Sequence, residues 1–245
     1  MRTPTILLLT ALLAGPAGAG NLNELGWHTA AELGAIATSG NTVGTSVTGK
    51  VDARQELDEW SNQYIVTGFF KEDEISSGGV KSRRRSAQRF SVSAKAAYKL
   101  IDEGDKLYVL GSHVEDRFGP YTAYSTLGVG HATRLYKAEG DTLDVEVGPG
   151  YFSGTRATGD EENGFTVRGA AALRWQLSPS AVFSQVASIE RGTSNIHSSA
   201  EAAVSTKING TLQMKAAFVA RNDTNVPEGK KNTDSQTSLT LVYSF

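Results

Sequence analysis

The sequence predicts an all-β fold, a transmembrane antiparallel up-and-down β-barrel of about twelve strands. Three observations carry this. Polar and apolar residues alternate with period two almost everywhere after residue 20. The breaks between alternating segments are by turns short and turn-like, then longer and polar. Aromatic residues gather near segment ends, where amphipathic rings sit at a lipid headgroup level.

Composition agrees. The chain has 245 residues, 26 Gly, no Cys and 39% hydrophobic residues, with 24 basic against 26 acidic side chains. That is one domain by size. The apolar share is below the roughly 45–50% usual for a packed soluble domain, and suits strands of which one face meets water. Without Cys there is no disulfide framework, thiol nucleophile, Cys-ligated zinc, iron–sulfur cluster or lipid-modified Cys. Balanced charge argues against a general nucleic-acid binder.

At the N-terminus, Arg2, the apolar stretch Ile6 to Leu13 and the small residues Ala17-Gly18-Ala19 form the pattern of a secretory signal peptide. Residues 1–19 are expected to be removed, leaving 20–245 as the barrel domain. Beyond the leader no run of even ten apolar residues occurs, so no transmembrane helix is expected.

Cuts at turn signals give strands at 26–38, 45–57, 61–71, 83–100, 106–117, 121–136, 142–154, 164–177, 181–191, 196–208, 211–222 and 236–245. The clearest is the fourth, with Phe90, Val92, Ala94, Ala96, Tyr98 and Leu100 on one face and Arg89, Ser91, Ser93, Lys95 and Lys99 on the other. The second sets Val47, Val51 and Ala53 against Lys50, Asp52 and Arg54. The seventh sets Leu143, Val145 and Val147 against Asp144 and Glu146. The eighth sets Phe165, Val167, Leu173 and Trp175 against Arg168 and Arg174, and the eleventh Leu212, Met214, Ala216 and Phe218 against Gln213, Lys215 and Arg221. A helix would scatter those charges into its apolar stripe.

Short turns are expected at 58–59, 102–105, 137–141, 178–180 and Asn209-Gly210, the last a type I′ dipeptide. Longer loops are expected at 39–44, 72–82, 119–120, 155–163, 192–195 and 223–235. One aromatic belt is read from Trp27, Trp60, Tyr98, Tyr108, Tyr136, Trp175, Tyr243 and Phe245, the other from Phe70, Phe118, Tyr121, Tyr151 and Phe165. Pro149 lacks a ladder donor, so a bulge is expected there near the outer rim. Hydrocarbon cannot satisfy a free strand edge, so the first and last strands must pair. Twelve strands enclose more room than eight, to be filled by water or folded-in loops.

The segment Glu32-Leu33-Gly34 through Ala37-Thr38-Ser39-Gly40-Asn41-Thr42, with Trp60, Gly148-Pro149-Gly150-Tyr151, Pro227-x-Gly229-Lys230-Lys231-x-x-Asp234 and Leu241-Val242-Tyr243-Ser244-Phe245, resembles the salt-induced outer-membrane protein (YdiY-like) family. The resemblance covers essentially the whole mature chain. It implies a bacterial outer-membrane barrel tied to salt or osmotic conditions, and brings no catalytic residues. The alternating end Leu239, Leu241, Tyr243 and Phe245 likewise resembles the signal read by the barrel-assembly machinery, an expected partner in biogenesis.

The water-facing side is read as carrying Lys50, Arg54, Lys71, Arg89, Lys95, Lys99, Arg117, Arg134, Arg168, Arg174, Lys207, Lys215 and Arg221 against Glu32, Asp52, Glu56, Glu115, Asp144, Glu146, Glu201 and Asp223. Cationic linings favour anions, so a small-solute, anion-leaning channel is one expectation. Charges paired into ladders across a closed scaffold are the other. The run Lys81, Arg83, Arg84, Arg85 suits phosphate of lipopolysaccharide or a solvated loop. Asp160-Glu161-Glu162 lacks metal-site spacing and is read as solvated.

A barrel hydrolase acting on lipid with His197 and Ser199 is the alternative from another class. It is disfavoured because both face inward and no orienting Asn is evident. His28, His113 and His131 have no metal-ligand spacing. The reading is therefore a non-enzymatic envelope protein without cofactors or metals, in contact with outer-membrane lipid and lipopolysaccharide, with no nucleic acid or soluble partner. A soluble periplasmic β-protein binding an apolar ligand is the third alternative.

Overall fold

The structure, a computed structural model, describes residues 25–38, 44–77, 80–100, 104–226, 228 and 231–245. The leader, the Ser39-Gly40-Asn41-Thr42 part of the family motif, and Pro227, Gly229 and Lys230 lie outside the described residues.

Twelve antiparallel strands close into one barrel. They are β1 (Gly26–Thr38), β2 (Gly44–Glu56), β3 (Trp60–Ser77), β4 (Val80–Lys99), β5 (Lys106–Asp116), β6 (Tyr121–Ala138), β7 (Asp141–Arg156), β8 (Glu161–Ser178), β9 (Ala181–Arg191), β10 (Ile196–Lys207), β11 (Leu212–Asp223) and β12 (Thr233–Ser244). Each pairs with its sequence neighbours, and β1 pairs with β12. No free edge therefore faces hydrocarbon at the level of the termini. That closing ladder is short. It runs from Ala30 opposite Ser244 to Leu33 opposite Leu241, whereas β1 and β2 pair along their whole length. Beyond Leu33 the outer part of β1 has no ladder partner on β12.

The outward face is apolar and exposed: Leu33, Val51, Val66, Phe90, Val109, Leu127, Val147, Val167, Met214 and Phe218. The surface of a water-soluble protein does not carry a continuous apolar band of this kind; the outer wall of a membrane barrel does. At the rim bearing the termini, Trp27 stacks on Tyr64 at 6.1 Å and Trp60 meets Tyr98 edge-on at 5.3 Å. With Tyr136, Trp175, Tyr243 and Phe245, all exposed, they form one belt. Phe70, Tyr151 and Phe165 form a thinner belt towards the other rim. Tyr108 and Tyr121 do not belong to the belts. Both turn inward and are buried, at 4% and 2% exposure.

Three local expectations are corrected. The loop expected at 72–82 is mostly strand, because β3 and β4 continue past a bulge between Lys71 and Glu72 as a hairpin that sets Glu72, Asp73 and Glu74 opposite Arg85, Arg84 and Arg83. Opposite charges across a ladder favour pairing. No mirror-type turn forms at Asn209-Gly210, since neither residue has a positive φ. There the Asn209 Oδ1 instead accepts from the backbone N–H of Thr211 and Leu212 at 3.0 and 2.8 Å. The tight turn with two positive φ values falls at Glu139 (28°) and Gly140 (101°). Pro149, finally, sits mid-strand opposite Val167 without a shift of register. On its other side the β6–β7 ladder skips the pairs between Gly128–Gly150 and His131–Val147. A Cβ on Gly148 would come within 2.0 Å of the Val129 carbonyl oxygen, so glycine is required where these two backbones close in.

On the outer rim the connections at 78–79, 157–160 and 224–232 are shorter than expected, that at 192–195 is as expected, and that at 117–120 is longer. The longest, 224–232, has nine residues.

Candidate functional site

The lumen is built by every second residue of each strand, and its charges assemble into ladders. At mid-depth Lys95 and Arg168 both bind Glu146, the latter at 3.1 Å, and the Lys95 ammonium lies 4.6 Å from the Tyr108 ring centre. Lys95 on β4 and Glu146 on β7 are three strands apart, so this pair bridges across the interior rather than along the wall. Nearby, Asp52 is fully buried and accepts from Gln63 at 2.9 Å and Arg54 at 3.3 Å. Towards the terminal rim, Arg134 holds Asp144 with two contacts of 2.7 and 3.2 Å. On the opposite wall Lys215 joins Glu201 at 2.9 Å and Glu32 at 3.4 Å. Higher up, buried Arg89 binds Asp116 at 3.0 Å and the Tyr124 hydroxyl at 3.2 Å.

All eight lumen residues singled out from sequence, Arg54, Arg89, Lys95, Arg134, Arg168, Arg174, Lys215 and Arg221, lie on this face. Arg174 and Arg221 alone among them make no ion pair within the described residues. Two of the wider set do not belong. Glu115 shares the outward parity of Leu107 and Val109, with its side chain 69% exposed beside His113, and Arg117 is exposed beyond the end of β5. Lys106, Asp116, Glu190 and Asp234 face inward and were missed. The excess of cations over carboxylates thus falls from five to three.

Apolar side chains also enter the lumen: Ile65, Tyr108, Val114, Val182 and Val186 are buried there. One cavity beside Lys95, Glu146 and Arg168 holds about 40 Å³. Another beside Lys50, Lys215 and Arg221 holds about 110 Å³, and one under the outer mouth, by Tyr124, Phe152 and His197, about 70 Å³. A water occupies roughly 30 Å³ in the liquid, so these take from about one water to about four.

His197 and Ser199 do face inward, as expected. The structure adds the missing orienting group: Asp223, opposite His197 in the β10–β11 ladder, meets its Nδ1 at 3.0 Å. The nucleophile is not engaged, since no hydrogen bond joins Ser199 to His197 among the described residues. Beyond the outer belt, Glu162 of the acidic run is tied down by Arg156 and Tyr121, each at 2.8 Å, and by Ser194. Burial, and then the bond to Glu162, pushes the Tyr121 phenol up to about 12. Burial alone would raise Glu162, but the three donors outweigh it and hold its carboxyl below the usual range. Among the described residues no group of three or more His, Asp or Glu is placed to hold a metal ion.

The closing residues Leu239, Leu241, Tyr243 and Phe245 all point outward and are exposed. Phe245 and Thr29 exchange backbone hydrogen bonds of 2.9 and 3.0 Å, which anchors the C-terminus on β1.

Solved structures with this fold are outer-membrane barrels. The COG4313 outer membrane channel from Pseudomonas putida F1 superposes with a TM-score of 0.57 at 11% identity, covering 94% of this chain and 100% of that one. The NanC porin gives 0.54 at 9% identity, over 89% and 98%. The translocator domain of autotransporter NalP from Neisseria meningitidis gives 0.51 at 15%, over 92% and 90%. At such identities the likeness is one of fold. No protein of curated function matches the sequence. The twelve-stranded closure, the apolar outer wall and these neighbours give the protein the fold of the outer-membrane β-barrels. Residues 31–245 match the model described as protein of unknown function DUF481, and the chain belongs to that family.

Proposed function

We propose that the protein is a narrow, anion-leaning conduit for water and small ions across the outer membrane, closed to solutes the size of a sugar. The observation that carries this reading is the lumen itself. It is polar and lined by an excess of cations, yet bridged from wall to wall by Lys95–Glu146, with cavities of about 40 Å³ beside that bridge and about 110 Å³ beside Arg221. A lining that must exchange a solute's hydration shell selects by charge and size. Two of the similar solved barrels are a channel and a porin, which supports the class and no solute. A role under salt or osmotic stress follows from the sequence resemblance alone. The test is the purified barrel in a planar lipid bilayer. Discrete small conductance steps are expected, with a reversal potential under a chloride gradient that favours the anion. A silent bilayer, or cation preference, overturns the reading. Fatty-acid release from lipid that is lost on Ser199→Ala would instead establish the hydrolase.

A further inference from the structure

We infer that the outer half of the lumen contains a binding site for one small anion, of halide to phosphate size, centred on Arg221. Arg221 is 3% exposed, and its Nε and Nη1 donors have no hydrogen-bond partner. The Thr240 hydroxyl, 6% exposed, is unpartnered too, and both residues line the same cavity of about 110 Å³. Buried donors left unpaired cost on the order of 1–3 kcal/mol each, so groups of this kind are kept where something supplies acceptors.

The surrounding charges leave an anion as the fitting occupant. Lys50, Arg89 and Lys215 also line the cavity, and the carboxylates there are already engaged: Glu32 by Lys50 and Lys215, Glu201 by Lys215. Arg89 is matched by Asp116. Asp234 faces Arg221 across the β11–β12 ladder. The guanidinium therefore presents charge and free N–H groups to a space of about three or four water volumes. A halide fits there with room for water, and so does a small oxyanion.

The cavity also lies behind the unpaired outer stretch of the β1–β12 seam, since Gln236, Ser238 and Thr240 line it and the ladder stops at Leu33–Leu241. The anion can thus be a free ion from the lumen or the headgroup of an anionic lipid. This inference deepens the proposed function, because a selecting conduit needs a place where the ion trades water for protein donors.

The test is thermal unfolding of the purified full barrel in non-ionic detergent, with chloride, nitrate or inorganic phosphate replacing gluconate at constant ionic strength. The midpoint is expected to rise by roughly 3–5 °C when the anion is in about tenfold excess over its dissociation constant, and Arg221→Met is expected to remove the rise. Equal midpoints in chloride and gluconate overturn the site, as does a rise that survives in Arg221→Met. If that variant does not fold, crystals of the unaltered protein soaked in bromide decide. An anomalous peak within hydrogen-bond reach of Arg221 supports the site, and its absence overturns it. Nanodiscs of phosphatidylcholine with or without phosphatidylglycerol separate the two sources, equal midpoints overturning the headgroup. Anion-specific stabilisation without conductance overturns only the conduit; conductance without it overturns only the site.

Discussion

Two levels of the lumen treat the same chemistry in opposite ways. At mid-depth, Glu146 is shared by Lys95 and Arg168, and Tyr108 covers the ammonium, so each charge has its partner. In the outer half, Arg221 is more deeply buried, yet two of its donors are empty. Burial of charge is costly in both places. Where the partners are built in, the arrangement works as a strut between walls. Where they are withheld, the inferred anion supplies the missing acceptors.

The largest effect should come from breaking the strut. Glu146→Gln leaves two cations facing each other; with side chains still 16–21% exposed, the cost is expected near the low end of the range for a broken buried pair, about 3 kcal/mol. Urea unfolding in detergent micelles measures it, and a loss under 1 kcal/mol would mean water already screens the cluster. Next comes Gly148→Ala in the adjoining wall. Its Cβ would meet the Val129 carbonyl oxygen at 2.0 Å, and overpacking by one methyl is expected to cost about 2 kcal/mol. Unchanged heat resistance of the folded band on a gel would show that β6 and β7 can spread apart there.

Arg221→Met sharpens the contrast from the other side. Without anion present, it removes a buried charge whose donors are unmet, so stability is expected within about 1 kcal/mol of the parent. A loss as large as that of Glu146→Gln would erase the distinction between the two levels.

The smallest effect lies at the rim. Glu162 is held below its usual range in the folded protein, so its contribution is present above the unfolded value, roughly pH 4.3, and fades as pH falls through the lower folded value. Hydrogen exchange at 156–162 should quicken only below about pH 4, and Glu162→Gln should abolish that dependence.

Much of this was legible in the sequence because strand periodicity is local. The bounds of β1 and β9 follow it without error, and β5 and β7 within one or two residues. Where charge masked the pattern the reading failed: the Glu72–Glu74 and Arg83–Arg85 runs look like a solvated loop until the hairpin sets them opposite each other. The Leu107-Tyr108-Val109-Leu110 stretch is apolar on both faces, so alternation could not say that Tyr108 turns inward. The Asp223–His197 pair and the Lys95–Glu146 bridge join residues 26 and 51 positions apart. The first pair is set by the register of the β10–β11 hairpin, which the turn signal alone did not fix; the second joins β4 to β7, and only the closed barrel makes those two neighbours.

Everything rests on which face of each strand meets lipid, and the absence of Cys makes that directly measurable. Single cysteines carrying a nitroxide at Val92, Val145 and Leu173, and at Ser91 as the inward control, would be compared in bilayers for relaxation by oxygen and by a water-soluble nickel chelate. The three outward sites are expected to respond to oxygen and to ignore the chelate, with the order reversed at Ser91. Chelate contact at Val92, Val145 and Leu173 would contradict the account.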